Sequence, residues 1–322
     1  MSGAQRPTAD EIKHAAMLLR DGKLVAFPTE TVYGLGANAL DADAVSHIFE
    51  AKGRPSSSPI IVHVSNFEMV RSVAAEWPPP AQALVTKFWP GPLTLVLKKT
   101  PAVADLVTAG LNTVGVRMPS HPVALALIEA AGLPIAAPSA NRFAQLSPTT
   151  AEHVRQGLGD RVDYILDGGA CAVGIESTVL SLADGASVLL RPGRISRAQI
   201  EAVIGPVSQL LQATAEAHPS PGMHPRHYSP RTRLILMRNG EVPEQGSGAY
   251  LQLHVAPSSE VRTLVMMPGD PAEYAASLYC TLHELDLLGY DWIAVDTPHD
   301  DPEWDAIRDR LTRAATFAKV PS

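Results

Sequence analysis

The 322-residue chain has few cysteines and lacks the motifs on which covalent and metal-dependent enzymes are commonly built. It has two cysteines, Cys171 and Cys280, far apart and without the spacing of metal ligands, so neither a disulfide framework nor a zinc site is supported and two buried thiols are expected. An HExxH motif, a Ser-His-Asp order, a paired metal-carboxylate motif and a G-x-x-x-x-G-K-[ST] phosphate loop are all missing. Hydrolysis through a protein nucleophile or zinc is therefore poorly supported. No apolar run approaches the length of a membrane span, and the opening segment MSGAQRPTADEIKHAAMLLR lacks the continuous apolar core of a secretory signal. A soluble, cytoplasmic protein with no membrane partner is expected.

Apolar residues make up 46% and charged residues 18% of the chain, a globular composition. The net charge of −7 argues against broad nonspecific binding of nucleic acid. That charge is unevenly placed: residues 1–200 hold 17 Lys and Arg against 17 Asp and Glu, and residues 201–322 hold 9 against 16. A neutral first part still accommodates a local cationic pocket, which suits a small anionic ligand better than a long polyanion.

The length exceeds a typical single domain, and the pattern supplies a boundary. Thr8-Ala-Asp-Glu11 reads as a capping box before a helix with Ile12, Ala16 and Leu19 on one face. Strand-like runs follow at 24–27, 60–64, 93–97, 114–118, 133–137, 164–167, 177–182 and 187–191, with a helix at 196–204. Three of these strands come in close succession, which predicts an α/β domain over 8–204 with a mixed twisted sheet. Residues 205–232 lose periodicity, and SPGMHPRHYSPRT (220–232) reads as a linker. Residues 233–322 run strand, strand, strand, helix, strand, helix, the order of a small three-layer α/β domain.

Polar and cationic residues recur at the ends of the apolar strands. PTETVYGLGANAL (28–40) displays Thr29, Glu30, Thr31 and Tyr33, and its Gly34 and Gly36 mimic a dinucleotide fingerprint. The first glycine lies too far beyond the strand and no strand-end acid follows, so the glycines read as a tight turn. AKGRPSSSPIIVHV (51–64) carries Lys52 and Arg54 at a helix end, Ser58 in a restricted polar loop, and His63 in an apolar strand. Arg117, in NTVGVRMPSHP (112–122), is a permanent charge inside a strand of Val114, Val116 and Met118, and must be paired or face a ligand. IAAPSANRFAQLSPT (135–149) offers Ser139, Asn141 and Ser147; GIESTVLSL (174–182) and LLRPGRI (189–195) add Ser177, Thr178, Arg191 and Arg194. The inventory suits phosphate binding by cations and hydroxyls, and residue chemistry alone leads to a nucleotide or anion site.

In order along the chain, PTETVYGLG, KGRP, SPIIVHV, GPLTLVL, VGVRMPSHP, PSAN, SPT, ESTV and LRPG resemble the YrdC/Sua5 family of threonylcarbamoyl-AMP synthases over about residues 8–200. SPGMHPRHYSP is similar to the interdomain linker of the longer Sua5 type, and the chain beyond it stands where that type has its Rossmann-like C-terminal domain. The resemblance implies synthesis of threonylcarbamoyl-AMP and pyrophosphate from L-threonine, bicarbonate and ATP, for N6-threonylcarbamoyladenosine modification of tRNA. A separate downstream threonylcarbamoyl transferase complex would act on the tRNA, and direct tRNA binding by this chain is left open.

By the same resemblance, Lys52, Arg54, Ser139 and Asn141 form the catalytic K-x-R and S-x-N pairs. Arg54, Ser58, Thr113, Ser139, Ser147, Arg191 and the linker's Tyr228 would contact ATP; Thr31, His63, Arg117, Ala137 and Ser177 would surround threonine, with Arg117 on its carboxylate. Mg²⁺ is expected with ATP, held by substrate oxygens and water, with no protein ligands assigned. The linker would close over the pocket through Tyr228 or His227. Two positions depart from the family pattern: Ser58 stands where Asn is common, and Phe143-Ala144 where Ser-Gly is common. A noncatalytic RNA-binding relative and a carbamoyl-transfer module of the hydrogenase-maturation kind stay open as other readings.

Overall fold

The structure, a computed structural model, describes residues 6–209 and 227–315. Residues 210–226, most of the segment read as a linker, lie outside the described residues. Two compact units emerge: one holds the described residues up to Phe143 and from Ser147 to Gln209, the other Ala144–Leu146 with those from His227 onward.

In the first unit the strands are β1 (Val25–Phe27), β2 (Gly34–Asn38), β3 (Ile61–His63), β4 (Leu93–Lys98), β5 (Thr113–Arg117), β6 (Ile135–Ala136), β7 (Tyr164–Ile165), β8 (Thr178–Ser181), β9 (Val188–Arg191) and β10 (Ser208–Gln209). They form one mixed sheet in the order β10-β9-β8-β4-β5-β3-β6-β2-β1-β7. Its helices are α1 (Ala9–Arg20), α2 (Ala42–Lys52), α3 (Phe67–Val73), α4 (Pro79–Phe88), α5 (Asp105–Thr108), α6 (Pro122–Ala131), α7 (Ala151–Leu158) and α8 (Arg197–Ile204).

Local chemistry accounts for the elements that frame the site. Thr8 and Glu11 form both halves of the capping box that starts α1. Ala15, Ala16 and Leu19 of α1 then bury against Val123, Leu127 and Ile128 of α6 and Phe27 of β1. A larger apolar cluster joins Val45 and Ile48 of α2 to Leu84 of α4 and to the strand residues Leu95, Val62 and Val116. Asp41 caps the start of α2, and Gly53, at φ 61°, ends it in the left-handed conformation that glycine adopts without a Cβ clash. That stop leaves Lys52 on the last turn and Arg54 at the start of the next loop.

The segment read as a tight turn is instead strand β2, paired with β1 through Val25–Gly36 and Phe27–Gly34. Its glycines serve close packing: a Cβ on Gly36 would stand 2.8 Å from both Ile135 Cγ2 and Phe27 Cε1. The two cysteines are free, with Cys171 buried and Cys280 only half-buried.

The second unit carries β11 (Arg233–Met237), β12 (Gly248–Gln252), β13 (Thr263–Met266) and β14 (Trp292–Asp296), a parallel sheet in the order β11-β14-β12-β13, with α9 (Pro271–Asp286) and α10 (Asp305–Ala314). Ala144 belongs to this unit: its carbonyl accepts from Ser229 N at 2.9 Å, and Gln145 bridges Ser229. Ala144 has φ 65°, in the region where glycine is least strained. The departure from Ser-Gly therefore falls on a position whose backbone favours glycine. Among the described residues no helix is long and apolar enough to cross a membrane.

Candidate active site

The loop after β1 is a hydroxyl-built turn. Thr29 Oγ1 accepts from the backbone N–H of Thr31 and of Val32, each at 3.2 Å, and donates to Val32 O at 2.6 Å. Thr31 Oγ1 lies 2.8 Å from Thr29 Oγ1 and accepts from Arg117 Nη1 at 3.0 Å. Arg117, at the end of β5, also donates from Nε to Gly91 O at 3.3 Å. Its Nη2 sits 2.7 Å from Glu30 Oε1, and both side chains are buried. The contact is close enough for an ion pair but is not aligned as a hydrogen bond, so both atoms remain without a hydrogen-bond partner. Ser120 N donates to the other Glu30 oxygen at 3.1 Å.

His63 ends β3 in parallel register with Arg117. Burial first, and the Arg117 charge second, push its imidazole pKa down from 6.5 to about 3. The ring is neutral at physiological pH. An unfolded chain takes up a proton near pH 6.5 that the folded chain refuses, so this residue favours folding fully above pH 6.5 and progressively less as pH falls toward 3. The limiting slope is about 1.4 kcal/mol per pH unit. Urea midpoints at pH 7, 5.5 and 4.5 are expected to fall more steeply in the natural chain than in His63→Gln; parallel curves would contradict a buried neutral imidazole.

A second cluster surrounds the loop after β6. Lys52 Nζ donates to the carbonyls of Ser139 and Asn141, both at 2.5 Å, while Phe143 N donates to Lys52 O at 2.8 Å. Lys52 thus ties the S-x-N loop to the end of α2. Burial, with Arg54 nearby, holds its ammonium well below the ordinary lysine pKa, so an anion in this region would favour the charged form. Arg54, also buried, donates from Nη2 to Pro59 O at 3.1 Å. Ser58 is buried in the same loop.

A third cluster joins β4, β8 and β9. Arg191 donates from Nε to Ser177 O and from Nη2 to Ser177 Oγ, both at 3.1 Å, and Ser177 Oγ lies 2.8 Å from Thr94 Oγ1. Ser147 Oγ donates to Glu176 Oε1 at 2.5 Å. Thr178 holds the following turn, donating to Ile195 O at 2.7 Å and accepting from Ile195 N at 3.0 Å.

The sequence-derived residues are thus drawn into three groups: Thr31, His63 and Arg117; Lys52, Ser139 and Asn141; Ser177 and Arg191. Ala137 N donates to Ile61 O at 2.9 Å, which fixes its backbone beside β3. Thr113 opens β5 on the same face as Arg117, about 13 Å away at strand spacing. Arg194 is exposed. In the second unit, Tyr228 is buried at φ 61°, with the His227 ring 4.1 Å and the Tyr279 ring 6.1 Å away and the Arg310 guanidinium carbon 5.1 Å from its centroid. Sequence reasoning placed Glu30 among the displayed residues of a ligand-binding strand end without pairing it with Arg117, and assigned no role to Glu176 or Thr94. The available signal was electrostatic: buried arginines need counter-charges, and PTET and ESTV each contain one acid.

Among the described residues of the first unit, the buried charged side chains are Lys52, Arg54, Arg117 and Arg191 and the carboxylates Glu30 and Glu176. Among the described residues no cluster of three or more His, Cys, Asp or Glu side chains is arranged to hold a metal ion. Buried basic side chains and hydroxyls at the strand ends of a mixed sheet are the chemistry with which α/β domains receive anionic ligands. The model of the Sua5/YciO/YrdC family, described as telomere recombination, matches residues 17–193, and the model of the threonylcarbamoyl-AMP synthase C-terminal domain matches residues 195–316. The chain belongs to the Sua5 family.

It is 44% identical to a threonylcarbamoyl-AMP synthase of Bacillus subtilis, over 95% of this chain and 93% of the relative. It is 41% identical to a threonylcarbamoyl-AMP synthase of Pyrococcus abyssi, over 95% and 94%. The crystal structure of P. abyssi Sua5 complexed with L-threonine superposes with a TM-score of 0.90 at 40% identity, covering 97% of this chain and 96% of that one.

Proposed function

We propose that the protein is an L-threonylcarbamoyladenylate synthase, a nucleotidyltransferase that forms threonylcarbamoyl-AMP and pyrophosphate from L-threonine, bicarbonate and ATP. The product supplies tRNA N6-threonylcarbamoyladenosine synthesis in the cytoplasm, where ATP and tRNA are found, and a separate transferase complex consumes it. The observation that carries this reading is the buried excess of cations beside hydroxyl groups in a chain with full-length similarity to synthases of that name.

The chemistry needs no protein nucleophile. Threonine's amine captures carbon dioxide or bicarbonate as a carbamate, and the carbamate oxygen attacks the α-phosphorus of ATP and displaces pyrophosphate. Alignment and charge stabilisation carry the rate. In this reading Arg117 takes the threonine carboxylate, and Thr31, His63, Ser177 and the backbone at Ala137 complete that subsite. Arg54, Ser58, Thr113, Ser139, Ser147 and Arg191 hold ATP. Lys52 and Arg54, with Ser139 and Asn141, form the catalytic set, Lys52 acting by locking the 139–141 carbonyls. Mg²⁺ would be expected with ATP, without protein ligands, and would supply neutralisation of phosphate charge.

The chain beyond residue 205 is proposed to be needed for synthesis, and Tyr228 is kept as a candidate ATP contact. A chain ended after residue 205 is expected to lose most synthesis, and undiminished activity would reject that need. The function itself is tested by incubating the protein with ATP, bicarbonate and labelled threonine and separating the products. A labelled adenylate that yields AMP on hydrolysis is expected; label remaining entirely in threonine would reject the proposal.

A further inference from the structure

Three buried polar atoms in the first unit have no hydrogen-bond partner and belong to neighbouring side chains: Glu30 Oε1, Arg117 Nη2 and His63 Nδ1. Glu30 and Arg117 touch at 2.7 Å without alignment, and His63 stands in register beside Arg117. Interior polar groups without an aligned hydrogen bond are costly, charged ones most of all, and the ion pair offsets only part of that for Glu30 and Arg117. Such groups call for an explanation, and a ligand that completes the set is one.

The three atoms define what the ligand must offer. Arg117 Nη2 is a donor with positive charge and calls for an anionic acceptor. Glu30 Oε1 is an acceptor with negative charge and calls for a cationic donor. An inorganic anion would satisfy the first and face the second with like charge. A zwitterion satisfies both, and an amino acid separates its two charges by the two bonds of its α-carbon. The neutral His63 ring adds a site for a hydroxyl. The set matches an amino acid with a short hydroxyl side chain.

We infer that Glu30 is a recognition residue for the α-ammonium group of threonine, working with Arg117 on the carboxylate; the inference rests on the proposed function and adds a residue to its amino-acid subsite. Free of substrate, the two side chains neutralise each other across a misaligned contact. On binding, the zwitterion lies alongside the pair, its carboxylate on Arg117 Nη2 and its ammonium on Glu30 Oε1. The remaining Glu30 oxygen stays on Ser120 N, and Thr31 Oγ1 and Gly91 O stay on Arg117, so both side chains keep these protein anchors.

The experiment is calorimetric titration of the full chain, without ATP, with L-threonine and with the stereochemically matched 2,3-dihydroxybutanoate, in which a hydroxyl replaces the ammonium. The natural chain is expected to bind threonine at least tenfold more tightly than the hydroxy acid. Glu30→Gln keeps the side-chain volume and the acceptor for Ser120 N; it is expected to weaken threonine at least tenfold while leaving the hydroxy acid within about threefold. Equal affinity of the natural chain for the two ligands overturns the assignment, whether or not the variant folds. So does an equal loss for both ligands in Glu30→Gln, which would mean that Glu30 only holds Arg117. No threonine binding by the natural chain would instead strike the proposed function itself, and the assignment with it.

Discussion

Arg117→Ala is expected to lower kcat/KM for threonine by about 100-fold or more, the effect of truncating one member of a buried ion pair that is proposed also to take the substrate carboxylate. The loss has two sources. The guanidinium that would take the carboxylate is gone, and the turn that presents Thr31 loses the donor on its hydroxyl. Glu30 is left as a buried carboxylate without its counter-charge, so the folded chain is expected to lose about 3–5 kcal/mol as well. Arg117→Lys separates these sources. A lysine restores charge near Glu30 but cannot reach Gly91 O, Thr31 and Glu30 together as the planar fork does. It should recover much of the stability and little of the threonine dependence, as read by urea denaturation and by initial rates at varied threonine. Near-natural kcat/KM in the alanine variant would remove Arg117 from the subsite.

The second large effect comes from a residue without a side chain. A Cβ on Gly193 would lie 2.3 Å from Thr178 N, 2.6 Å from Ser177 C and 2.8 Å from Glu176 O, all backbone atoms that cannot rotate away. In Gly193→Ala the turn after β9 or the start of β8 has to shift, and both carry the third cluster. Ser177 holds Arg191 and Thr94 there, and Glu176 holds Ser147. Overpacking of this kind costs about 1–3 kcal/mol. A kcat/KM for ATP more than tenfold lower is expected to accompany it. Gly157→Ala, where nothing lies within 4 Å of the added carbon, is the control and should behave as the natural chain. If Gly193→Ala also does, the turn is not what positions Arg191.

The legible part of the fold was the part written in periodicity and capping. Thr8-x-x-Glu11, Ser196 before α8 and the apolar runs of β3, β4, β5 and β9 all follow local rules that tertiary contacts reinforce. Strand β2 escaped because glycine has low strand propensity, and its glycines are explained by Phe27 and Ile135, which are distant in sequence or on the facing strand. Ala144–Leu146 grouping with the second unit was equally illegible, since it depends on Ser229, more than eighty residues on.

At the site, the cations and hydroxyls were readable because charges inside apolar strands demand an explanation. Their partners were not. Arg117 read as a carboxylate clamp, but nothing local pairs it with Glu30, and Lys52 read as a catalytic cation without any sign that two backbone carbonyls would hold it. Residue chemistry alone stopped at an anion pocket. The ordered family motifs named the substrates.

The central claim, adenylylation of a threonine carbamate, is tested most directly by pyrophosphate release from ATP by the purified full chain in an omission series. The account predicts release with ATP, magnesium, bicarbonate and L-threonine together, and a fall to background when either threonine or bicarbonate is left out. Release that persists without one of them would contradict it.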